Sequence, residues 1–202
     1  MAIKKFVVGD FETNTYLITK GDKAVVVDPG LDICSVLESI QNYQVEAVLI
    51  THAHIDHIDG IGFFDAPIYI LEADKMGLED YTYSLYEMCY AKPSFNYQDL
   101  DVRVVNDLDE IKLPSFNFKV IATPGHTKGS CCYLYYNNLF SGDTLFKSSC
   151  GRTDFPGGEC LSMRKSLKRL ITTLSDDVVV YPGHDDKTTI KHERQNNLYI
   201  KR

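Results

Sequence analysis

The chain is predicted to fold as one α/β domain in which strands dominate and helices lie between them. Three observations predict this. Apolar runs of strand length recur from end to end and are bounded by Gly, Pro and Asp. Two stretches, residues 33–40 and 161–174, repeat their apolar residues at helical spacing. No Ser/Gly/Pro linker, low-complexity tract or solenoid-period repeat divides the 202 residues, and a chain of that length buries about 70% of its unfolded surface without disulfide staples.

In chain order, residues 4–8, 15–19 and 23–28 read as strands, the last running into the Pro29-Gly30 turn. A helix follows, with Asp32 as its expected N-cap and Ile33, Val36, Leu37 and Ile40 on one face. Residues 46–51 form a buried-type strand, and further strands are expected at 116–123, 131–136, 139–141 and 178–181. The helix at 161–174 buries Met163, Leu167, Leu170, Ile171 and Leu174, leaving Arg164, Lys165, Lys168 and Arg169 on a solvated face. A last helix is expected from about 188 to 199. Tyr83, Tyr86 and Tyr90 also fall at helical spacing; such a stripe packs against a core more often than it forms a lid.

The net charge of −7 argues against nucleic acid or an anionic membrane as partner, since both call for a basic footprint. A small molecule fits better. The first ten residues lack the order of a signal peptide and no apolar run reaches membrane-spanning length, so a cytoplasmic protein is expected. The six cysteines are irregularly spaced, without Cys-x-x-Cys, and are expected to be reduced thiols.

Chemistry is carried by where the histidines sit. Thr51-His52-Ala53-His54-Ile55-Asp56-His57 follows directly on the run Ala47 to Ile50. Three later strands end the same way, in Pro124-Gly125-His126, Gly142-Asp143 and Pro182-Gly183-His184. Ligands on short Gly/Pro turns at strand ends can converge at one sheet edge, where rigid strands set position and missing side chains leave room for substrate. Five of the six histidines occupy such turns; His192, among polar neighbours on a helix, is expected to be an ordinary surface residue. Seven ligands exceed one metal's need, so two divalent ions about 3.5 to 4 Å apart are expected, with open positions for substrate. Nitrogen and oxygen donors suit zinc, and iron or manganese would also bind. Asp28 is either a partner fixing the tautomer of a ligand histidine or a turn-former, and Thr51 either supports the site or merely ends a strand.

His-x-His-x-Asp-His, a later Gly-His, the Asp of Ser-Gly-Asp-Thr-Leu-Phe and a final Pro-Gly-His resemble the metallo-β-lactamase superfamily along the whole chain. The resemblance implies an αββα four-layer sandwich, two mixed β-sheets face to face with helices outside. It implies that His52, His54 and His126 hold the first metal, that Asp56, His57 and His184 hold the second, and that Asp143 bridges them. Within the superfamily the chain is most similar to the short, single-domain members of the glyoxalase II group. Three stretches carry this likeness: Gly142 to Phe146, Gly151-Arg152-Thr153-Asp154-Phe155-Pro156-Gly157-Gly158, and the tail from Pro182 to Asn197.

The implied activity is hydrolysis of a thioester, hydroxyacylglutathione being the first candidate, by a metal-bridging hydroxide that Asp56 helps to orient. Arg152 occupies the place of a basic residue that contacts glutathione, with Lys147 nearby; a surface position or a structural Arg152–Asp154 ion pair is the equal alternative. True β-lactamases of the superfamily usually carry Cys where Asp143 stands, so antibiotic hydrolysis is not expected. The Gly-Arg-Thr-Asp-Phe loop also resembles the persulfide dioxygenases, which implies the alternative of one iron and oxygen consumption on glutathione persulfide. Oligomeric state is not legible.

Overall fold

Runs of β-branched residues pair into two six-stranded sheets in the computed structural model, which describes residues 1–201, the last as backbone only. The first sheet holds β1 (Ala2–Val8), β2 (Thr13–Lys20), β3 (Lys23–Val27), β4 (Gln44–Ile50), β5 (Ile68–Leu71) and β6 (Val102–Val105) in sequence order. Its first three strands are antiparallel neighbours; from β3 onward the pairs are parallel, with Val25 opposite Ala47 and Val27 opposite Leu49. The second sheet is built from β7 (Glu110–Lys112), β8 (Asn117–Ala122), β9 (Cys131–Tyr135), β10 (Asn138–Gly142), β13 (Val179–Pro182) and β14 (Thr188–Thr189). Its spatial order is β14-β13-β10-β9-β8-β7, and only β10 and β13 run parallel. Between them in the chain, β11 (Leu145–Phe146) and β12 (Ser149–Cys150) make a separate small hairpin.

Strand side chains alternate between faces, and here both faces are covered. Val25, Val27, Ala47 and Leu49 point toward the second sheet and meet Phe118, Val120, Tyr133 and Phe140. Their neighbours Ala24, Val26, Val48 and Ile50 point outward, beneath α1 (Cys34–Ile40) and α2 (Ile55–Ile58). On the far side Cys132, Leu139 and Val180 meet Met163, Leu167 and Leu170 of α3 (Cys160–Thr173) and Ile190 of α4 (Ile190–Asn196). Helix, sheet, sheet, helix is the order of layers, which agrees with the αββα expectation. Leu49 is wholly buried between the sheets. Leu49→Ala is therefore expected to cost about 2–5 kcal/mol in urea unfolding, through lost transfer energy and the cavity left behind.

Three local expectations are corrected. Asp32 does not cap α1: it adopts a left-handed backbone (φ 54°), and Ile33 stands at the cap position without a side-chain bond. The final helix is broken. Residues 188–189 pair with β13, Thr189 caps α4 through its Oγ1, and Asn197 separates α4 from α5 (Leu198–Lys201). The tyrosine stretch is a series of turns, because Leu85 and Tyr90 take positive φ and Tyr90 is fully exposed, while Tyr83 and Tyr86 are buried. All six cysteines are free thiols. No helix among the described residues is long and apolar enough to cross a membrane.

Candidate metal centre

Four strands deliver their C-terminal ends to one edge of the sandwich. β4 leads into residues 51–54 and then α2, which carries Asp56 and His57; β8, β10 and β13 lead to His126, Asp143 and His184. The edge is stitched by backbone hydrogen bonds between the sheets: Cys131 N to Thr51 O (2.9 Å) and Asn14 N to Gly183 O (2.7 Å). The Tyr16 hydroxyl adds a bond to the Pro182 carbonyl (2.7 Å). Glycine is required at two of these strand ends. Gly142 takes φ 46°, and a Cβ there would strike Thr51; a Cβ on Gly183 would strike the Asp143 carboxylate and His57.

All seven expected ligand residues meet at this edge. His52 Nε2 and His126 Nε2 lie 3.1 and 2.9 Å from His54 Nδ1, so three imidazoles face one point. Asp56 Oδ2 lies 3.3 Å from both His57 Nε2 and His184 Nε2. Asp143 stands between the sets, Oδ2 being 3.5 Å from His126 Nε2 and 3.6 Å from His184 Nε2, and Oδ1 3.5 Å from His57 Nε2. Among the described residues, His57 Nε2 and Asp143 Oδ1 are buried without a hydrogen-bond partner. Such orphans are costly unless another group satisfies them. These donors fit divalent cations: nitrogen and carboxylate oxygen, aimed inward, in two clusters that share a carboxylate.

The electrostatics agree with this fit. Burial, reinforced by neighbouring imidazoles, holds His52 and His54 well below the ordinary histidine range, leaving them neutral with lone pairs available. At His57 burial acts the same way, but Asp56, Asp28 and Asp143 outweigh it and push the group well up. His184 is raised against its own burial by Asp56 and Asp143. His52 and His54 thus offer neutral nitrogens while His57 and His184 draw positive charge.

Partners behind the ligands set their tautomers. Asp28 Oδ2 accepts from His57 Nδ1 (3.0 Å) and from Thr51 Oγ1 (2.6 Å), and Asp28 Oδ1 accepts from Thr51 N (2.7 Å). Thr51 Oγ1 in turn lies 3.2 Å from His52 Nδ1. One carboxylate therefore orients two histidines, directly and through a hydroxyl. The Arg152 carbonyl accepts from His126 Nδ1 (2.7 Å), and Thr13 Oγ1 donates to Asp56 Oδ2 (2.8 Å).

Above the site opens a cleft of about 490 Å³, walled by Phe11, Ile55, Leu85, Met88, Phe146 and Phe155. Arg152 lines it, with its guanidinium 3.9 Å from the Phe155 ring centre and held by Asp154 through two 2.7 Å bonds. Lys147 is not among the cleft-lining residues and lies 3.4 Å from Asp186. His192 lies on α4 beside Ser148 Oγ (2.9 Å), apart from the centre. His192→Ala is expected to leave metal content unchanged by elemental analysis and to cost less than about 1 kcal/mol in thermal unfolding. Thr13, Asp74 and the apolar cleft walls escaped sequence reasoning, since no local pattern marks a residue that reaches a site through the fold.

The family model of the metallo-beta-lactamase superfamily matches residues 8–184. Hydroxyacylglutathione hydrolase GloC of Haemophilus influenzae is 31% identical, the alignment covering 99% of this chain and 98% of that protein. The crystal structure of BLEG-1, described as a B3 metallo-beta-lactamase, superposes with a TM-score of 0.91 at 31% identity, covering 98% of this chain and 99% of that one. TTHA1623, solved in a di-iron-bound form, superposes with a TM-score of 0.83 at 30% identity, covering 97% and 99%. With the fold, the donor clusters and the full-length likeness all in agreement, the chain belongs to the metallo-beta-lactamase superfamily, whose members are typically metal-dependent hydrolases.

Proposed function

We propose that the chain hydrolyses thioesters at this edge and that its substrate is a hydroxyacylglutathione, S-lactoylglutathione being cleaved by water to lactate and glutathione. The observation that carries the reading is Asp143 standing between two inward-facing donor sets at the floor of a substrate-sized cleft. The likeness to GloC supports the choice of thiol and acyl group. His52, His54 and His126 would hold one ion, Asp56, His57 and His184 the other, and Asp143 both. Zinc is the proposed metal, with iron or manganese also suited to these donors. When bound, such ions supply Lewis acidity and bring the pKa of water from 15.7 to about 7, so that a nucleophile exists at neutral pH.

The chain's own residues do the rest. Asp28 and Thr51 hold His57 and His52 in the tautomers that turn their Nε2 lone pairs inward. Asp56, fixed by Thr13, offers a carboxylate oxygen at the site that can orient a water proton. Phe146 and Phe155 stand edge-on to His184 and His54 and narrow the approach to the acyl carbon. Arg152 is the proposed contact for a substrate carboxylate, acting in exchange with Asp154; Lys147, held at Asp186, is the weaker candidate. The leaving thiol has an ordinary pKa of about 8.5 and departs as thiolate, so no dedicated general acid is required.

The test is S-lactoylglutathione hydrolysis by purified protein with metal content measured in the same sample. Turnover with two metal ions per chain is expected. Absence of turnover by fully loaded protein would overturn the substrate. One iron per chain with oxygen uptake on glutathione persulfide would replace hydrolysis by dioxygenation, and opening of a β-lactam without thioester cleavage would replace it by lactam hydrolysis.

A further inference from the structure

Asp74 is a carboxylate buried at 0% exposure, outside the seven ligands, and it is fully subscribed by donors from three segments. Its Oδ2 accepts from Ala53 N (2.9 Å), between His52 and His54, and from Thr127 Oγ1 (2.7 Å), next to His126. Its Oδ1 accepts from Gly129 N (2.7 Å) and from the Tyr83 hydroxyl (2.6 Å). The first two bonds join the two loops that carry the three-histidine cluster. The last reaches elsewhere, into the turn-rich stretch whose Leu85, Met88 and Cys89 line the cleft.

Tyr83 is well placed as a latch. Its oxygen also accepts from Lys128 N (3.0 Å), and its ring lies against Gly77 and against Gly157 in the loop after Phe155. Burial and the Asp74 carboxylate push the phenol well up, so it stays a donor. The stretch has a second attachment, Tyr86 OH to Asp59 Oδ1 (2.7 Å), and a backbone one, Ile55 N to Ser84 O (2.9 Å).

We propose that Asp74 is a positioning residue that sets the spacing of the His52–His54 and His126 loops, and that through Tyr83 it fixes the cleft wall to that same frame. Histidine geometry and wall position then share one anchor. The assignment stands whichever carboxyl derivative the cleft accepts. Asparagine cannot replace it, because whichever oxygen becomes an amide leaves two of the four donors facing another donor.

The experiment titrates zinc into metal-stripped Asp74→Asn, Tyr83→Phe and Tyr86→Phe proteins against a chromophoric chelator, with thermal unfolding of each stripped protein alongside. Asp74→Asn is expected to weaken one of the two zinc sites by about 10- to 100-fold and leave the other close to wild type. Tyr83→Phe is expected to keep both zinc affinities within a few-fold while raising KM for S-lactoylglutathione roughly 3- to 10-fold at unchanged kcat. Should Asp74→Asn fail to fold, Thr127→Val removes one of its donors and is expected to weaken the same zinc site, with Thr127→Ser restoring it. Two zinc sites of wild-type affinity in Asp74→Asn or Thr127→Val would overturn the positioning role. Equal weakening of both sites in step with lost thermal stability would also overturn it, reducing Asp74 to general support. If no variant and no wild-type protein turns over the thioester, the zinc titration still decides Asp74 and only the substrate reading falls.

Discussion

Asp143→Ala is expected to lower S-lactoylglutathione turnover by roughly a hundred- to a thousand-fold or more, the scale seen when one preorganised electrostatic partner of a reacting centre is removed. The loss should appear in kcat, and metal content should drop below two ions per chain. The reason is placement: the two oxygens of this one carboxylate lie within 3.6 Å of His57, His126 and His184 together. Its removal takes one of the charges that raise His57 and His184. Since Asp143 borders the cleft and follows the last residue of β10, far-ultraviolet circular dichroism should remain that of the parent. Retained turnover with two bound metals would sink the bridging assignment.

Asp28→Asn is expected to weaken metal binding about 10- to 100-fold although residue 28 does not face the ions' positions. Three donors converge on this carboxylate. An amide accepts at one atom only, so either Thr51 N or the pair formed by His57 Nδ1 and Thr51 Oγ1 meets an N–H instead. His57 then loses its preferred tautomer, and through Thr51 so does His52. A chelator-competition titration at fixed pH measures the effect, and unchanged affinity would reduce Asp28 to a turn residue. Its left-handed backbone, φ 50°, is tolerable for Asp and equally so for Asn, which isolates the hydrogen-bonding change from backbone strain.

Much of the architecture was legible because burial on two faces writes itself into a strand as an unbroken apolar run, as in Val25-Val26-Val27 and Val48-Leu49-Ile50. The candidate ligand positions were legible for a related reason: each follows such a run within a few residues, and His126, Asp143 and His184 do so across glycines at which a Cβ would clash. Other parts depend on partners distant in sequence. Tyr83 and Tyr86 have helical spacing, yet each hydroxyl is taken by a carboxylate from another segment, and the backbone between them follows those anchors rather than a helical ladder. Asn197 ends α4 because its amide serves Ser149 O and Glu193. Asp32 reads as a cap only while its left-handed backbone is unknown. Arg152 pairs with Asp154 and also lines the cleft, and neither placement can be read from the loop sequence alone.

Each donor set draws on both halves of the chain. His52 and His54 come from the first sheet and His126 from the second; Asp56 and His57 come from the first and His184 from the second. The centre is thus a clasp that exists only while the halves are docked. An ion bound there favours the docked state by RT ln(1 + [L]/Kd), about 2.7 kcal/mol at a hundredfold excess over Kd, and favours neither half alone. Metal supply would then govern how long the folded protein persists as well as how fast it works, since a chain starved of metal must hold its halves together by the inter-sheet core and the few hydrogen bonds that join the sheets.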